Sequence, residues 1–299
     1  MKILITGING FVGTNFTNKW CKKHSVERTY SWDELGKLPQ VDAIVHLAGK
    51  AHDTKKQSDA QEYFEVNTGL TQKIFDYFLQ SDAQTFIFFS SVKAAIDSIP
   101  GDMLTEEVIP SPIGPYGKSK ILAEEYLLSK IAEEDSKQKK IYILRPCMIH
   151  GPGNKGNLNL LYNLVRKGIP WPLGAFENKR SFCSIDNISY VVEQLIIKDN
   201  IESGIYLVGD DVPLSTNELI KLISESVGKK AHIWKLSKGL MNFLASFGGA
   251  LHLPLNKERL KKLTENYVVS NEKIKNALGI DKMPVSAHEG IRKTLKSFK

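Results

Sequence analysis

Tyr116 and Lys120 stand four residues apart in Tyr116-Gly117-Lys118-Ser119-Lys120, directly after Pro115. On a helix this spacing puts both side chains on one face. A free tyrosine has a pKa of about 10, too high for proton transfer at neutral pH. A nearby ammonium stabilises the phenolate, lowers that pKa and makes the tyrosine a general acid or base. Tyr126 and Lys130 repeat the spacing, but deeper in the same stretch, and read as ordinary helix surface. Ser90 and Ser91 follow the apolar run Thr85-Phe86-Ile87-Phe88-Phe89. A hydroxyl at such a strand end can bond the oxygen that Tyr116 protonates. Gly7-Ile8-Asn9-Gly10-Phe11-Val12-Gly13 is a GxxGxxG loop directly after another apolar run. Its glycines permit a tight turn and bring backbone N–H groups close to a pyrophosphate, and the next helix adds the positive end of its dipole. Gly7, Asn9, Gly10, Phe11, Val12 and Gly13 are therefore expected to hold a dinucleotide.

These residues need elements to position them. Lys2–Thr6, Val41–Leu47, Thr85–Phe89 and Ile141–Leu144 read as short apolar strands. Helical spacing is predicted over about 11–23, 58–80 and 118–134, with Phe64, Leu70, Ile74, Phe78 and Leu79 on one face of the second. Apolar strands alternating with helices predict an α/β fold, a doubly wound parallel sheet of Rossmann type. Ligands bind at the carboxyl ends of such strands, where the glycine loop and Ser91 fall. Residues 1–150 are expected to form this dinucleotide-binding domain. Residues 151–299 are expected to form a smaller, mixed substrate-binding region, with segments free to return to the first. Helices are predicted there near 157–167, 187–198 and 215–227, and strand-like pieces near 203–208 and 231–235. The apolar run Leu240–Leu253 contains His252 and two glycines. It is shorter than the roughly 20 residues that span a bilayer, and reads as a buried or interface helix.

Composition narrows the classes. With 42% hydrophobic and 24% charged residues, the chain is neither collagen-like, coiled coil nor mostly disordered. The net charge of +7 is spread in small clusters, such as Lys257-Arg259-Lys261-Lys262. That suits an anionic small molecule better than nucleic acid. Cys21, Cys147 and Cys183 are an odd, widely spaced set without CxxC. They predict neither a disulfide framework nor a cysteine zinc site, and fit a reducing cytoplasm. No signal peptide fits Met1–Ile5, and no membrane insertion is expected.

The ordered set resembles the extended short-chain dehydrogenase/reductase superfamily, in its nucleotide-sugar epimerase/dehydratase branch. The set comprises Gly7-x-x-Gly10-x-x-Gly13, His46-Leu47-Ala48-Gly49, Ser90-Ser91, Tyr116-x-x-x-Lys120 and Leu144-Arg145-Pro146-x-x-x-x-Gly151-Pro152-Gly153. The resemblance runs from Met1 to about Ala287. It implies Ser91, Tyr116 and Lys120 as catalytic residues, with Lys120 also on the nicotinamide ribose. It implies Leu47, Ala48, Gly49, Asn67, Ser90 and Pro146 as cofactor neighbours, with Cys147 nearby. Lys155-Gly156-Asn157-Leu158 resembles the sugar-nucleotide loop, with Asn157 on the substrate. Asn178-Lys179-Arg180-Ser181 resembles the segment carrying a diphosphate-binding arginine, here Arg180; its planar fork suits phosphate. Arg259 is a second phosphate candidate. His52 either faces the sugar or is a solvated loop histidine. The cofactor is NAD or NADP. Glu27 and Asp33 are acids available for an adenosine ribose, whereas Arg28 and Ser31 suit a 2′-phosphate.

Members of this branch that catalyse 4,6-dehydration carry an Asp-Glu pair directly after the catalytic hydroxyl. This chain has Val92-Lys93 there. Asp97 and Glu106 in the following loop are the carboxylates that would have to take over. The resemblance thus implies hydride transfer at C4 of a UDP-linked sugar. The first expectation is reduction of a UDP-4-keto-6-deoxy-N-acetylhexosamine in surface-polysaccharide synthesis. The alternatives are a UDP-hexose 4-epimerase and a non-catalytic dinucleotide- or RNA-binding relative. Such relatives lose the serine, tyrosine or lysine, and this chain keeps all three. A homodimer is compatible with the resemblance.

Overall fold

The computed structural model describes residues 1–21, 24–28, 40–50, 59–131, 139–154, 156–250 and 256–298. The first half runs β1 (Lys2–Thr6), α1 (Phe11–Trp20), β2 (Ser25–Arg28), β3 (Ala43–His46), α2 (Ala60–Tyr63), α3 (Leu70–Gln80), β4 (Thr85–Phe89), α4 (Val92–Ala95), α5 (Pro115–Ile131) and β5 (Lys140–Pro146). The second runs β6 (Met148–His150), α6 (Asn157–Arg166), β7 (Phe182–Ser184), α7 (Ile185–Ile197), β8 (Gly204–Val208), α8 (Thr216–Ser226), α9 (Lys238–Ala250), α10 (Lys257–Thr264), α11 (Glu272–Leu278) and α12 (Ala287–Lys296).

Among the described residues the main sheet is parallel, in the order β2-β1-β3-β4-β5-β8. Its inner strands β1, β3, β4 and β5 read as nearly unbroken apolar runs because both faces are covered, whereas the edge strand β2, Ser-Val-Glu-Arg, carries no such signal. Phe16 and Trp20 of α1 pack on one face with Ile188, Val191 and Val192 of α7. Phe75 and Phe78 of α3 and Leu127 of α5 pack on the other, against Leu4, Ile44, Phe86 and Phe88. The chain goes from β1 to β2 on one side and returns to β3 on the other. The β1/β3 boundary is therefore the switch point at which such sheets open a crevice for a ligand.

Beyond residue 150, β8 joins the main sheet beside β5. The rest gathers around a separate core of Leu158, Tyr162, Trp171, Leu219, Ile223, Ile291 and Leu295. The β6–β7 ribbon links the two parts.

Several bounds differ from the sequence reading. The helix predicted over 58–80 is interrupted by a π-helical turn, Phe64–Gly69, between α2 and α3. Apolar spacing does not register one residue added to a turn. The helix expected from 118 begins at Pro115, where a missing N–H costs nothing. Residues 231–235 form only isolated bridges, Trp171↔Ile233 and Leu173↔Lys235. The apolar run from Leu240 does form a helix, but not a buried one. Met241 and Ala245 of α9 face inward, while Leu240, Phe243 and Leu244 are exposed. No helix among the described residues is long and apolar enough to cross a membrane.

Candidate active site

The glycine loop leaves β1 with Gly7 at φ +70. A Cβ on Gly7 would lie 2.6 Å from the Ala48 nitrogen, and one on Gly13 would collide with the Gly7 carbonyl. Only glycine fits either place, so the turn lies flat against the segment leaving β3. Asn9 and Gly10 are exposed at the carboxyl edge, and α1 starts at Phe11 with no acidic residue in its first turn. Its unopposed N-terminal dipole suits an anion. This flat cradle fits a dinucleotide pyrophosphate, with Gly7, Asn9, Gly10, Phe11, Val12 and Gly13 as the residues that would hold it.

The β3 end is pinned from below. Buried His46 pairs through Nδ1 with Thr6 Oγ1 at 2.7 Å and through Nε2 with Thr71 Oγ1 at 2.9 Å. Burial, with Lys120 adding to it, lowers the His46 pKa to about 3, so the ring is neutral. Leu47, Ala48 and Gly49 follow directly. Asn67 stands in the π-helical turn, fully buried. Its Oδ1 accepts from the Lys50 nitrogen at 2.7 Å, and its amide donates to the Lys50 carbonyl at 3.2 Å and to Ser119 Oγ at 3.0 Å. Asn67 thus ties the β3 loop to α5, behind the place where a cofactor would lie.

Ser91, Tyr116 and Lys120 converge across from this loop. Ser91 caps α4, its Oγ accepting from the Lys93 nitrogen at 3.2 Å. The Tyr116 phenol hydrogen-bonds Ser91; burial nonetheless raises its pKa above 10, the Ser91 bond working against that. The sequence reading had Lys120 lowering this pKa. Instead Lys120 Nζ donates to the Phe89 carbonyl at 2.9 Å, above the Phe88 ring. A Cβ on Gly49 would lie 3.1 Å from that ammonium, so Lys120 reaches the β3 loop. Burial lowers the Lys120 pKa to about 8, with Glu124 opposing the shift. Lys120 therefore loses its charge as pH rises through about 8. If the ammonium is required, kcat/KM falls above that pH. Glu124→Gln removes the charge that holds the pKa up, so the alkaline limb moves to lower pH; a pH–rate profile of both proteins checks this.

Ser90 and Glu124 differ from the sequence reading. Ser90 does not face the cofactor edge freely: its hydroxyl donates to Glu124 Oε1. Glu124 also receives Arg145 Nε at 3.1 Å and Nη2 at 2.5 Å, all fully buried. Sequence reasoning passed over Glu124, although it continues the Tyr116, Lys120 spacing by four more residues. Pro146, at the end of β5, and Cys147 are buried beside this network.

Arg180 reaches the same neighbourhood. Its Nη1 donates to the Lys262 carbonyl of α10. Burial lowers the Lys93 pKa most; Asp97 and Glu265 oppose, while Arg180 and Lys262 push it further down. Lys93, two residues after Ser91 in sequence, thus lies within electrostatic reach of Arg180 and Lys262, with the carboxylates of Asp97 and Glu265 among them. Asn157 is exposed at the first residue of α6, and Arg259 is exposed on α10, where its backbone N–H donates to Asn256. His52, Lys155, Ser31 and Asp33 lie outside the described residues. Among the described residues no cluster of His, Cys, Asp or Glu could hold a metal.

The model of the NAD-dependent epimerase/dehydratase family matches residues 3–209. The chain belongs to that family. It is an NAD(P)-dependent enzyme acting on nucleotide sugars, with the parallel Rossmann-like sheet described above. It is 30% identical to a UDP-glucose 4-epimerase of Vibrio cholerae, over 99% of this chain and 95% of that one. It is 28% identical to a UDP-2-acetamido-2,6-β-L-arabino-hexul-4-ose reductase of Pseudomonas aeruginosa, over 56% of this chain and 42% of that one. The UDP-glucuronic acid 4-epimerase of Bacillus cereus, solved in complex with NAD, shares the fold at a TM-score of 0.75 and 18% identity, covering 100% and 98% of the two chains.

Proposed function

We propose that this family member reduces C4 of a UDP-4-keto-6-deoxy-N-acetylhexosamine, with Ser91, Tyr116 and Lys120 as its catalytic residues. The observation that carries this reading is the convergence of those three side chains at the carboxyl edge of the sheet, across from the glycine cradle. Residues 7–13 and the Leu47–Gly49 segment would hold the nicotinamide cofactor, which in its reduced form, NADH or NADPH, would supply the hydride for C4 and leave oxidised. Tyr116 gives its proton to the C4 oxygen. Burial keeps the phenol protonated, which suits the reductive direction, where that oxygen must gain a proton. Ser91 holds the same oxygen through its hydroxyl. Arg180, with Lys93 beside it, takes the diphosphate.

The reading is tested with purified protein, reduced nicotinamide cofactor and the keto sugar. Reductase activity consumes the cofactor in step with the keto sugar, and UDP-N-acetylglucosamine alone is left unchanged. The second reading, a UDP-hexose 4-epimerase, is favoured by the near-complete coverage of the Vibrio relative. It predicts the reverse: C4 inversion of a UDP-hexose or UDP-N-acetylhexosamine with no net change in nicotinamide.

Arg180→Ala should weaken UDP and UDP-sugar binding by about 1.5–3 kcal/mol, as expected for a lost charged hydrogen bond, and leave NAD(P) affinity unchanged. Calorimetry with each ligand checks this; equal loss for cofactor and UDP would give Arg180 a structural role.

No 4,6-dehydration is expected. Elimination needs a base at C5 and an acid at the C6 hydroxyl. Val92 is buried, and Lys93 Nζ donates to the Asp97 carbonyl at 2.7 Å over the Tyr267 ring. The two loop carboxylates are also engaged: Asp97 accepts from the Ile113 nitrogen and Glu106 from the Leu207 nitrogen, each at 2.8 Å. Incubation with NAD and UDP-N-acetylglucosamine should yield no product lighter by one water on mass analysis. Its formation at catalytic rates would overturn the ketoreductase reading.

A further inference from the structure

Tyr116 stands in the first turn of α5, and a helix end is held by fewer backbone bonds than its middle. Its proton must nonetheless meet one sugar oxygen, so the ring needs support from outside the helix. The π-helical turn Phe64–Gly69 and the residue that leads into it, Tyr63, supply that support. Thr68 Oγ1 donates to the Ser119 carbonyl at 2.8 Å, and the Asn67 amide donates to Ser119 Oγ at 3.0 Å. Ser119 Oγ donates in turn to the Tyr116 carbonyl at 2.9 Å. These bonds tie the Tyr116 backbone to the turn. The Tyr116 ring meets the same segment through Tyr63, which is buried. The two rings stand edge-on, 6.3 Å apart at their centres with 71° between their planes. This is an arrangement that aromatic quadrupoles favour. After burial, the main cause, Tyr63 also raises the Tyr116 pKa, so the two phenols are within electrostatic reach. Tyr63 is itself held. The Lys50 ammonium lies 5.8 Å from its ring centre and pairs with Glu62, the residue before it. The Lys50 backbone is fixed in turn by its two bonds to Asn67.

We propose that Tyr63 is a positioning residue for Tyr116, setting the plane of the catalytic ring through this edge-on contact. The bond to Ser91 fixes the phenol oxygen, and the contact with Tyr63 fixes the ring that carries it. Tyr63 acts through Tyr116 and not on the sugar. Proton transfer is sensitive to such support, because a reacting group must already stand in a near-attack geometry. One short segment thereby serves two ends of the site. Asn67 holds the loop after β3, behind the place for the cofactor, and Tyr63 holds the proton donor. The Lys50–Glu62 pair joins these two functions, since Lys50 belongs to that loop and Glu62 to α2. The inference rests on Tyr116 being the group that moves the proton, and stands whichever C4 reaction the enzyme performs.

The test is a double-mutant cycle on the full-length protein, with turnover read in the C4 assay, reduction or inversion, that the wild-type enzyme supports. Tyr63→Ala should lower kcat by about 10²-fold, the cost of a catalytic group displaced by roughly 1 Å, with KM and dinucleotide affinity at wild-type levels. Tyr63→Phe keeps the ring and its edge contact, and should retain kcat within about twofold. On the Tyr116→Phe background Tyr63→Ala should have no further effect, since a positioning residue acts only through the group it positions. Losses that multiply in the double variant would overturn the proposal. So would an unchanged kcat in Tyr63→Ala, or a loss in Tyr63→Phe as large as that in Tyr63→Ala. Where Tyr63→Ala lowers the thermal transition, Tyr63→Leu, which fills the space without a flat edge, takes its place and should show the same selective loss in kcat. A loss shared by dinucleotide affinity would give Tyr63 a structural role only and overturn the proposal. Near-wild-type turnover in Tyr116→Phe by itself would remove the proton-transfer reading, and this inference with it.

Discussion

Tyr116→Phe should lower turnover by about 10²–10⁴-fold, the loss expected of a general acid–base group, while dinucleotide affinity stays at the wild-type level. The substitution keeps the ring and its edge-on contact with Tyr63. It removes only the hydroxyl that bonds Ser91 and would meet the sugar oxygen. Tyr126→Phe is the matched control. The Tyr126 hydroxyl donates to Asp76 at 2.5 Å, between α5 and α3 on the exposed side. That change should leave turnover close to wild type. Steady-state kinetics of the two variants decide the assignment; near-normal turnover in Tyr116→Phe would remove the proton-transfer role.

Arg145→Leu should lower the unfolding free energy by about 3–5 kcal/mol, because it strands a buried carboxylate. Glu124 lies on α5 and Arg145 on β5, and the pair is bidentate and shut off from water. Ser90 adds a third tie from the end of β4. The network therefore fixes the strand end that carries Ser91 against the helix that carries Tyr116 and Lys120. Replacing both partners with apolar residues, Arg145→Leu with Glu124→Leu, should recover most of the lost stability, since no unpaired charge remains. Urea unfolding of the single and double variants measures the difference. An Arg145→Leu protein as stable as wild type would mean that the pair carries no structural burden.

The sheet and its ligand edge were legible because local signals agreed with global ones. The short apolar run Thr85–Phe89, rich in aromatic residues and ended by Ser90-Ser91, fits a strand covered on both faces, and Gly7 sits where the chain turns with positive φ after β1. The grouping of Ser91, Tyr116 and Lys120 as a candidate site follows from spacing and position in the sequence. What spacing hid is tertiary. The π-helical turn that aims Asn67 inward leaves no mark in an apolar pattern. The claim of Ser90 on Glu124 joins residues 34 apart in sequence. The pKa of Tyr116 also failed from sequence, since the i,i+4 lysine turns its ammonium to the Phe89 carbonyl and burial then governs the phenol. The apolar run at Leu240 reads equally as a buried or an interface helix, because hydrophobicity alone does not tell which face of a helix the fold covers.

The most direct measurement follows the hydride. The purified enzyme is given the UDP-linked 4-keto-6-deoxy-N-acetylhexosamine and nicotinamide cofactor deuterated at its transferable position, and the product is examined by mass spectrometry and NMR. One deuterium per product molecule is expected, located at C4, with near-complete loss of labelled product in Tyr116→Phe over the same time. A product without deuterium, or with the label on any other carbon, would contradict the ketoreductase reading.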